Sequence, residues 1–514
     1  MAQNTAGTAD APESFDVANE KGVEKLHKNA VGLIGVLFLT VTGAAPMSAM
    51  LGNVPFGAYG GNGTYMPAAF LLATIVLTIF SIGYAAMAKR VSSVGGFYSF
   101  ISQGLGRDLG MAAGLTSLFS YSLFEASLYG LFAFFANTLI MTYTGVNVPW
   151  IYLALFCVVL AGILSVFDVQ ISAAVLGVAL VLEVVILTIF NVGVMTAPSG
   201  TSFNIESLNV LNVLTSVEAK KVGDVEIAAG AAAIGVFMAF WSWVGFEMAP
   251  NYAEESRNAK RIIPLSLYLS VIGLGLFYIW TSWCAVSAYP SADDMLAKAT
   301  KDAGNFFLSP IEQFVGPWAK ELMSWLILTS SFACGMAFHN TAARYLYSLG
   351  REGALPSFLG NTHDTYRSPY VASVAQSVLA AIWLGGFAYY MGTDDPNAQA
   401  YVGVYTMLAV LGTMLLLILQ AIVSIAIIVY FAKNGGGNFF TTVLAPIIAF
   451  VAQAVLVYLL VANIATLGGT SWFVTNIPLI ALGIFALGFV WGLALRFLSP
   501  HVHARIGRLV VNDA

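Results

Sequence analysis

The stretch Phe240-Trp241-Ser242-Trp243-Val244-Gly245-Phe246-Glu247-Met248-Ala249-Pro250 puts a glycine, an acid and a proline inside a long apolar run. Proline lacks a backbone N–H and clashes with the preceding turn, and glycine adds backbone freedom. A helix carrying this set has to break. Inside lipid such a break leaves N–H and C=O groups unpaired, which is tolerated only where protein or a water-filled cavity meets them. A second stretch, Leu39-Thr40-Val41-Thr42-Gly43-Ala44-Ala45-Pro46-Met47, carries Gly43 and Pro46 in the same way. For this second stretch alone, a proline kink is an equal reading.

The rest of the chain is the setting such breaks require. Of 514 residues, 21 are Lys or Arg and 26 Asp or Glu; charged residues make up 9% and hydrophobic ones 59%. Mean hydropathy is +0.82. Soluble proteins carry about 25% charged residues, and a water-soluble globule cannot bury this much apolar surface. A soluble enzyme and a nucleic-acid binder are excluded, the latter because no basic groove remains to follow a phosphate backbone. Cys157, Cys284 and Cys334 are isolated in apolar runs, so neither a disulfide framework, a metal site nor a cofactor is expected. Residues 1–28 are polar and show no apolar core after a basic start, so they read as a flexible cytoplasmic tail rather than a signal peptide.

A bilayer core about 30 Å thick needs roughly 20 apolar residues per helix. That ruler predicts an all-α polytopic membrane protein with twelve transmembrane helices, at 30–57, 66–88, 108–142, 148–167, 169–195, 226–254, 264–289, 317–349, 370–391, 401–432, 440–464 and 475–498. With the N-terminus inside, the cytoplasmic side holds Lys21, Lys25, Lys28, Lys89, Arg90, Arg107, Arg257, Lys260, Arg261, Arg344, Arg351, Arg367, Lys433, Arg496, Arg505 and Arg508. The other side holds only Lys220, Lys221, Lys298, Lys301 and Lys320. Basic residues stay on the cytoplasmic side, so both termini are expected there, in the cytoplasmic membrane. The loops at 196–225 and 290–316 are long enough for short surface helices. The two interrupted stretches are then spans 1 and 6, the first helices of two five-span halves. Paired interruptions at equivalent positions point to an inverted-repeat transporter, in which half-helix ends face the substrate. The expected division is 29–195 for the first repeat, 226–432 for the second, 440–498 for two additional helices and 499–514 for a cytoplasmic tail.

Here the chain resembles the amino acid–polyamine–organocation permeases, over roughly 29–500. Four motifs carry the likeness: the small-residue break Thr42–Pro46; Val94-Gly95-Gly96-Phe97-Tyr98; Gly245-Phe246-Glu247, continuing through Glu254-Glu255-Ser256-Arg257-Asn258-Ala259-Lys260-Arg261 to Pro264; and Asn340-Thr341-Ala342-Ala343-Arg344 with Gly350-Arg351-Glu352-Gly353-Ala354-Leu355-Pro356. The family more often shows Gly-Ser-Gly at the first break and Asn-Pro where Asn258-Ala259 stand. The resemblance implies the LeuT-like fold, a five-plus-five inverted repeat with broken spans 1 and 6. The segment Trp241–Glu247 is similar to that of the family's arginine/agmatine antiporters, which implies that Trp241 and Phe338 line the substrate pocket and that Glu247 senses protons.

Four ionisable residues fall well inside spans: Glu125, Glu183, Glu247 and His339. A charged acid at a helix centre costs roughly 2.5–3.5 kcal/mol, so each needs a partner, a proton or a function. Glu247, at the break, is either an ammonium acceptor and proton site or a hinge carboxylate bonding freed N–H groups. Glu125 in span 3 is either a substrate contact or a neutral acid bonded to a neighbouring helix. Glu183 in span 5 lies, by the resemblance, where spans 1, 5 and 8 enclose an ion site. Desolvation disfavours the charged form of a carboxyl, so Glu183 there is a candidate for proton coupling, with an interhelical hydrogen bond as the plainer reading. His339 in span 8 is a packing residue or a further proton group. Ser330 and Ser331 are able to serve a sodium ion or simply to bond back to the helix.

The expected function is secondary transport of an amino acid or related amine by alternating access, proton-coupled or by exchange. Thr42, Gly43, Ala44 and Ala45 would offer N–H groups to a carboxylate; Val244, Gly245, Phe246 and Glu247 would hold the ammonium; Glu125 would contact the substrate; Trp241, Phe246 and Phe338 would wall the pocket. The alternative is a sodium-coupled symporter of the same fold, as a monomer or homodimer. A receptor, channel or integral enzyme is the remote reading: no catalytic motif, selectivity-filter repeat or sizeable soluble domain is present. Gly435-Gly436-Gly437 is a cytoplasmic turn, since no Lys-Ser/Thr follows to make a phosphate loop.

Overall fold

The computed structural model describes residues 31–91, 95–167, 169–253, 255–465 and 471–507. The expected tail at 1–28, Val94, Glu254 and the part of the second tail beyond 507 lie outside the described residues.

The main helices are α1 (Leu33–Ala44), α2 (Met66–Ala88), α3 (Arg107–Thr144), α4 (Trp150–Leu164), α5 (Val169–Met195), α6 (Ala232–Trp241), α7 (Ala259–Ser287), α8 (Pro317–Arg351), α9 (Tyr370–Met391), α10 (Thr406–Asn434), α11 (Ala445–Ala462) and α12 (Trp472–Leu498). Each falls on one of the apolar stretches read from the sequence. Among the described residues, ten helical stretches are long and apolar enough to cross a membrane; one of them, Leu33–Ala88, runs through both α1 and α2, while α4 is a shorter apolar helix. This is the make-up of a multi-pass membrane protein.

The burial pattern sorts these helices into a centre and a rim. The stretch Ala232–Tyr252 is wholly buried, whereas 22% of the apolar window of α12 is. Side chains such as Phe156, Val159, Leu182, Val451 and Leu482 stand exposed on the rim, where lipid makes an apolar surface favourable. The long α3 is the spine, packing against α8, α10 and α12, and α1 packs against α5, α7 and α8.

The loops differ in part from expectation. The segment 196–225 holds two short 3₁₀ helices, Ile205–Leu208 and Val210–Asn212, and then a hairpin, Lys220–Val222 with Val225–Ile227, that takes up the expected start of span 6. Gly223, at φ 56°, supplies the left-handed residue the two-residue turn requires. The segment 290–316 also holds helices, Ala292–Lys301 and Leu308–Phe314.

One end of the bundle gathers basic residues. Arg90 donates to the Gly436 carbonyl, Lys433 to the Gly104 carbonyl, and Arg496 pairs with Asp108. The short helix Phe97–Leu105 is strapped there by the C-terminal segment: the Gly507 N–H donates to the Tyr98 hydroxyl at 3.1 Å and to the Glu352 carboxylate at 3.2 Å. His503 bonds Asp108 at 2.9 Å, and burial with the Arg107 and Arg496 guanidiniums holds its imidazole below the usual range.

Candidate functional site

Both breaks form. Helix α1 stops at Ala45, which takes a left-handed conformation (φ 39°, ψ 81°), and the chain resumes at Pro46 through a π-helical turn, Ala49–Asn53. Helix α6 stops at Trp241, passes through Gly245 at φ 125°, and resumes as a 3₁₀ helix, Phe246–Tyr252. The two breaks touch backbone to backbone. A Cβ on Gly245 would stand 2.6 Å from the Gly43 carbonyl carbon and 2.7 Å from the Ala44 nitrogen, so this position needs glycine for its torsion and for its missing side chain.

A narrow cavity of about 10 Å³, room for about one water, lies where the breaks meet. It is lined from the first break by Gly43, Ala44, Ala45, Ser48, Ala49 and Asn53, and from the second by Trp241, Ser242 and Val244. Leu128, Cys334, Phe338 and Tyr405 close it. Of the expected site residues, Gly43, Ala44, Ala45, Trp241, Val244 and Phe338 are thus brought together. Trp241, Phe338 and Tyr405 make its aromatic wall, and Phe124 backs it, stacked on Trp241 (4.5 Å between centroids) and 5.2 Å from Phe338.

Thr42, Glu125, Gly245, Phe246 and Glu247 stand outside this lining. The Thr42 hydroxyl is buried with no partner among the described residues. Phe246 turns to Phe80 on α2, 6.1 Å between centroids. Glu247 caps its own break: the Gly245 N–H donates to both carboxylate oxygens, at 3.2 and 3.0 Å, and the Tyr121 hydroxyl donates at 2.9 Å. Tyr84 donates to the Glu247 carbonyl at 3.1 Å. The Gly245 N–H and the Glu247 carbonyl and carboxylate thus find partners within the hinge or from helices α2 and α3, as burial demands.

Glu183 reaches the other break from α5. Its carboxylate accepts from the Met47 N–H at 3.3 Å, on the first turn after Pro46. Beside it the Ser48 hydroxyl donates to Ser330 at 2.9 Å and lies 3.3 Å from Ser331, joining α8 to the same turn. The Gly43 and Ala44 carbonyls accept from the Cys334 thiol and the Tyr278 hydroxyl. Glu125 and His339, expected to act apart, are a pair: Nδ1 lies 2.9 Å from Oε1, with both side chains fully buried.

The cavity is closed toward both ends of the bundle. Away from the basic end, the Tyr405 hydroxyl donates to Asn53 at 2.6 Å, Trp241 donates to Tyr405 at 3.2 Å, Asn53 donates to Ser242 at 2.9 Å and Tyr401 donates to the Gly52 carbonyl at 2.9 Å. Toward the basic end, Arg344 and Glu255 form a buried ion pair of 2.7 Å, with the guanidinium 4.5 Å over the Tyr252 ring. The sequence reading missed Ser48, Asn53, Ser242, Cys334 and Tyr405. For Tyr405 a signal existed: Tyr401 and Tyr405 stand four apart, one helical turn, just after Pro396.

Three likenesses bear on this geometry. A family profile described as amino acid permease matches residues 31–490. The low-affinity putrescine importer PlaP of Escherichia coli K12 is 25% identical over 371 residues, 71% of this chain and 76% of that protein. The vacuolar cationic amino acid transporter 4 of Arabidopsis thaliana is 22% identical over 421 residues, 76% of this chain and 63% of that one. With the profile covering most of the chain, the protein belongs to the amino acid permease family of the amino acid–polyamine–organocation superfamily, a family of transporters rather than enzymes.

Proposed function

We propose that this protein is a secondary transporter of an amino acid or related amine, working by alternating access around the cavity between the two breaks. The observation that carries this reading is the cavity itself: two interrupted helices meet at it, and separate sets of contacts close it on its two sides. Twelve spans in a five-plus-five inverted repeat, with 29–195 and 226–432 as the halves and 440–498 added, account for the position of both breaks. The basic end is then cytoplasmic, with both termini there.

None of the cavity's lining residues among the described residues is acidic. An ammonium group would be held by the faces of Trp241, Phe338 and Tyr405 and by backbone carbonyls of the second break, where cation–π attraction is strongest in the absence of water. The printed functions of the relatives, putrescine import and cationic amino acid transport, support an amine-bearing substrate. Coupling is assigned to Glu183: taking up a proton weakens its hold on the Met47 N–H and frees the first break from α5. The Ser48, Ser330 and Ser331 hydroxyls gathered beside the same turn favour sodium as a second reading.

Proteoliposomes test both. Saturable uptake or exchange of putrescine, arginine or a neutral amino acid, driven by an imposed pH gradient without sodium, is the expected result. Uptake that requires sodium and ignores the pH gradient selects the second reading. No saturable transport of any amino acid or amine overturns both.

A further inference from the structure

The Glu125–His339 pair lies outside the cavity lining and has its own route to solvent. Around it the hydrogen bonds have a direction. The Gln376 amide donates to Glu125 Oε2 at 2.7 Å and to the Ser122 hydroxyl at 3.0 Å, and Trp383 also donates to Ser122 at 3.1 Å. Oε2 is therefore an acceptor with its donor in place, which leaves Oε1, facing His339 Nδ1, as the oxygen that shares a proton. The other ring nitrogen, Nε2, lies 2.8 Å from the Ser373 hydroxyl and 3.4 Å from that of Ser165, and these two hydroxyls are hydrogen-bonded to one another. Ser165 and Ser373 in turn line a pocket at the basic end, together with Glu255, Asn340, Arg344 and Arg367.

We propose that Glu125 and His339 form a proton-binding site, loaded from the basic end through Ser165 and Ser373 and separate from the substrate cavity. In the unloaded state the pair holds one proton, on Nδ1 and shared with the Glu125 carboxylate. Loading begins with a protonated water in the pocket. Ser165 accepts its proton and passes its own to Ser373, and Ser373 passes its own to Nε2. As Nε2 is protonated, the Nδ1 proton passes to Glu125 Oε1, 2.9 Å away; the serines end unchanged, the water is neutral, and the pair has gained one proton and lost its net negative charge, with the carboxyl protonated and the imidazole proton on Nε2.

Among the described residues few other titratable groups face the pair. On α3 it is Tyr129, one turn on from Glu125, while Tyr121, one turn back, donates to Glu247 instead; α4 presents Cys157 and α8 presents Cys334, both grouped with Glu125 around Tyr129. Helix α9 contributes Gln376 and Ser373, neither of which titrates. At the mouth of the relay stand Glu255, Arg344, Tyr366 and Arg367. Loading is felt at the cavity because His339 directly follows Phe338, which lines it, and Glu125 directly follows Phe124, which stacks on the lining Trp241.

The site is tested without any substrate, so its outcome is independent of the transport reading. Infrared difference spectra of the purified full chain in lipid nanodiscs, from about pH 5 to 9, read protonated carboxyls directly. The expected result is a titrating carboxyl band that is lost in Glu125→Gln and whose midpoint moves by about 1 pH unit or more in His339→Gln. ¹⁵N-histidine spectra of the unmutated chain give a second readout that no folding defect disturbs: the His339 proton moves from Nδ1 to Nε2 as the carboxyl band appears. In Ser373→Ala the exchange of the His339 ring proton slows about fivefold, the cost of one hydrogen bond. A band unchanged in both pair variants, or a His339 resonance that stays constant from about pH 5 to 9, overturns the proposal.

Discussion

The break after α1 and the break after α6 are each bonded by a carboxylate, but the two carboxylates stand in different relations to the break they serve. Glu247 is two residues from the N–H it accepts, so it belongs to the hinge and travels with it. Glu183 comes from α5, 136 positions away from the Met47 N–H it accepts, and so ties one moving segment to a separate helix. A cap built into a hinge preserves its shape in every conformation. A cap borrowed from a neighbouring helix has to be released when the segment tilts, and release is where an ion can act. Of two buried acids that look alike in the sequence, the distant one is the better placed to couple, and the local one the better placed to hold structure.

Four substitutions probe this contrast. The largest effect is expected from Gly245→Ala, which forces a side chain into the backbone of Gly43 at a torsion L-residues rarely adopt. A loss above about 3 kcal/mol, seen as failure to recover monodisperse protein, is the expected result. Near-normal yield and melting temperature would mean that the breaks need not touch. Glu183→Gln comes next: accumulation driven by a pH gradient disappears while exchange at equal pH persists. Retained pH-driven accumulation would remove Glu183 from coupling. Glu247→Gln weakens a charge-assisted contact and is expected to lower stability by about 1–2 kcal/mol, equally in the presence and absence of a pH gradient. A selective loss of coupling there would reverse the two roles. The smallest effect belongs to Tyr121→Phe, which deletes one donor to Glu247 for about 1 kcal/mol in thermal unfolding.

What the sequence disclosed follows from what lipid makes expensive. Twenty apolar residues in a row are costly anywhere but in a membrane, so the helices could be read with ends close to those observed. Glycine and proline inside one such run left a kink or a break open, and the recurrence in a second run pointed to breaks. The hairpin at Lys220–Ile227 was not legible because three-residue strands with two lysines carry no periodicity. In the site, Trp241 and Phe338 came from family likeness, and the break residues from backbone chemistry. Asn53, Ser242 and Tyr405 escaped because uncharged polar side chains are cheap in a span and leave no mark. The pairing of Glu125 with His339 spans 214 positions and is set by the packing of α3 on α8, which no local pattern encodes.

Ala45 has a consequence for how long the closed cavity lasts. It is one of two non-glycine residues with positive φ among the described residues, and it sits at the first break with a methyl group where the chain elsewhere uses glycine. A left-handed torsion costs an L-residue about 1 kcal/mol more than it costs glycine. If opening relaxes this torsion, the closed form is less populated than the same turn with glycine by about a factor of five. In the alternating-access cycle proposed above, so shallow a closed state favours release of the cargo.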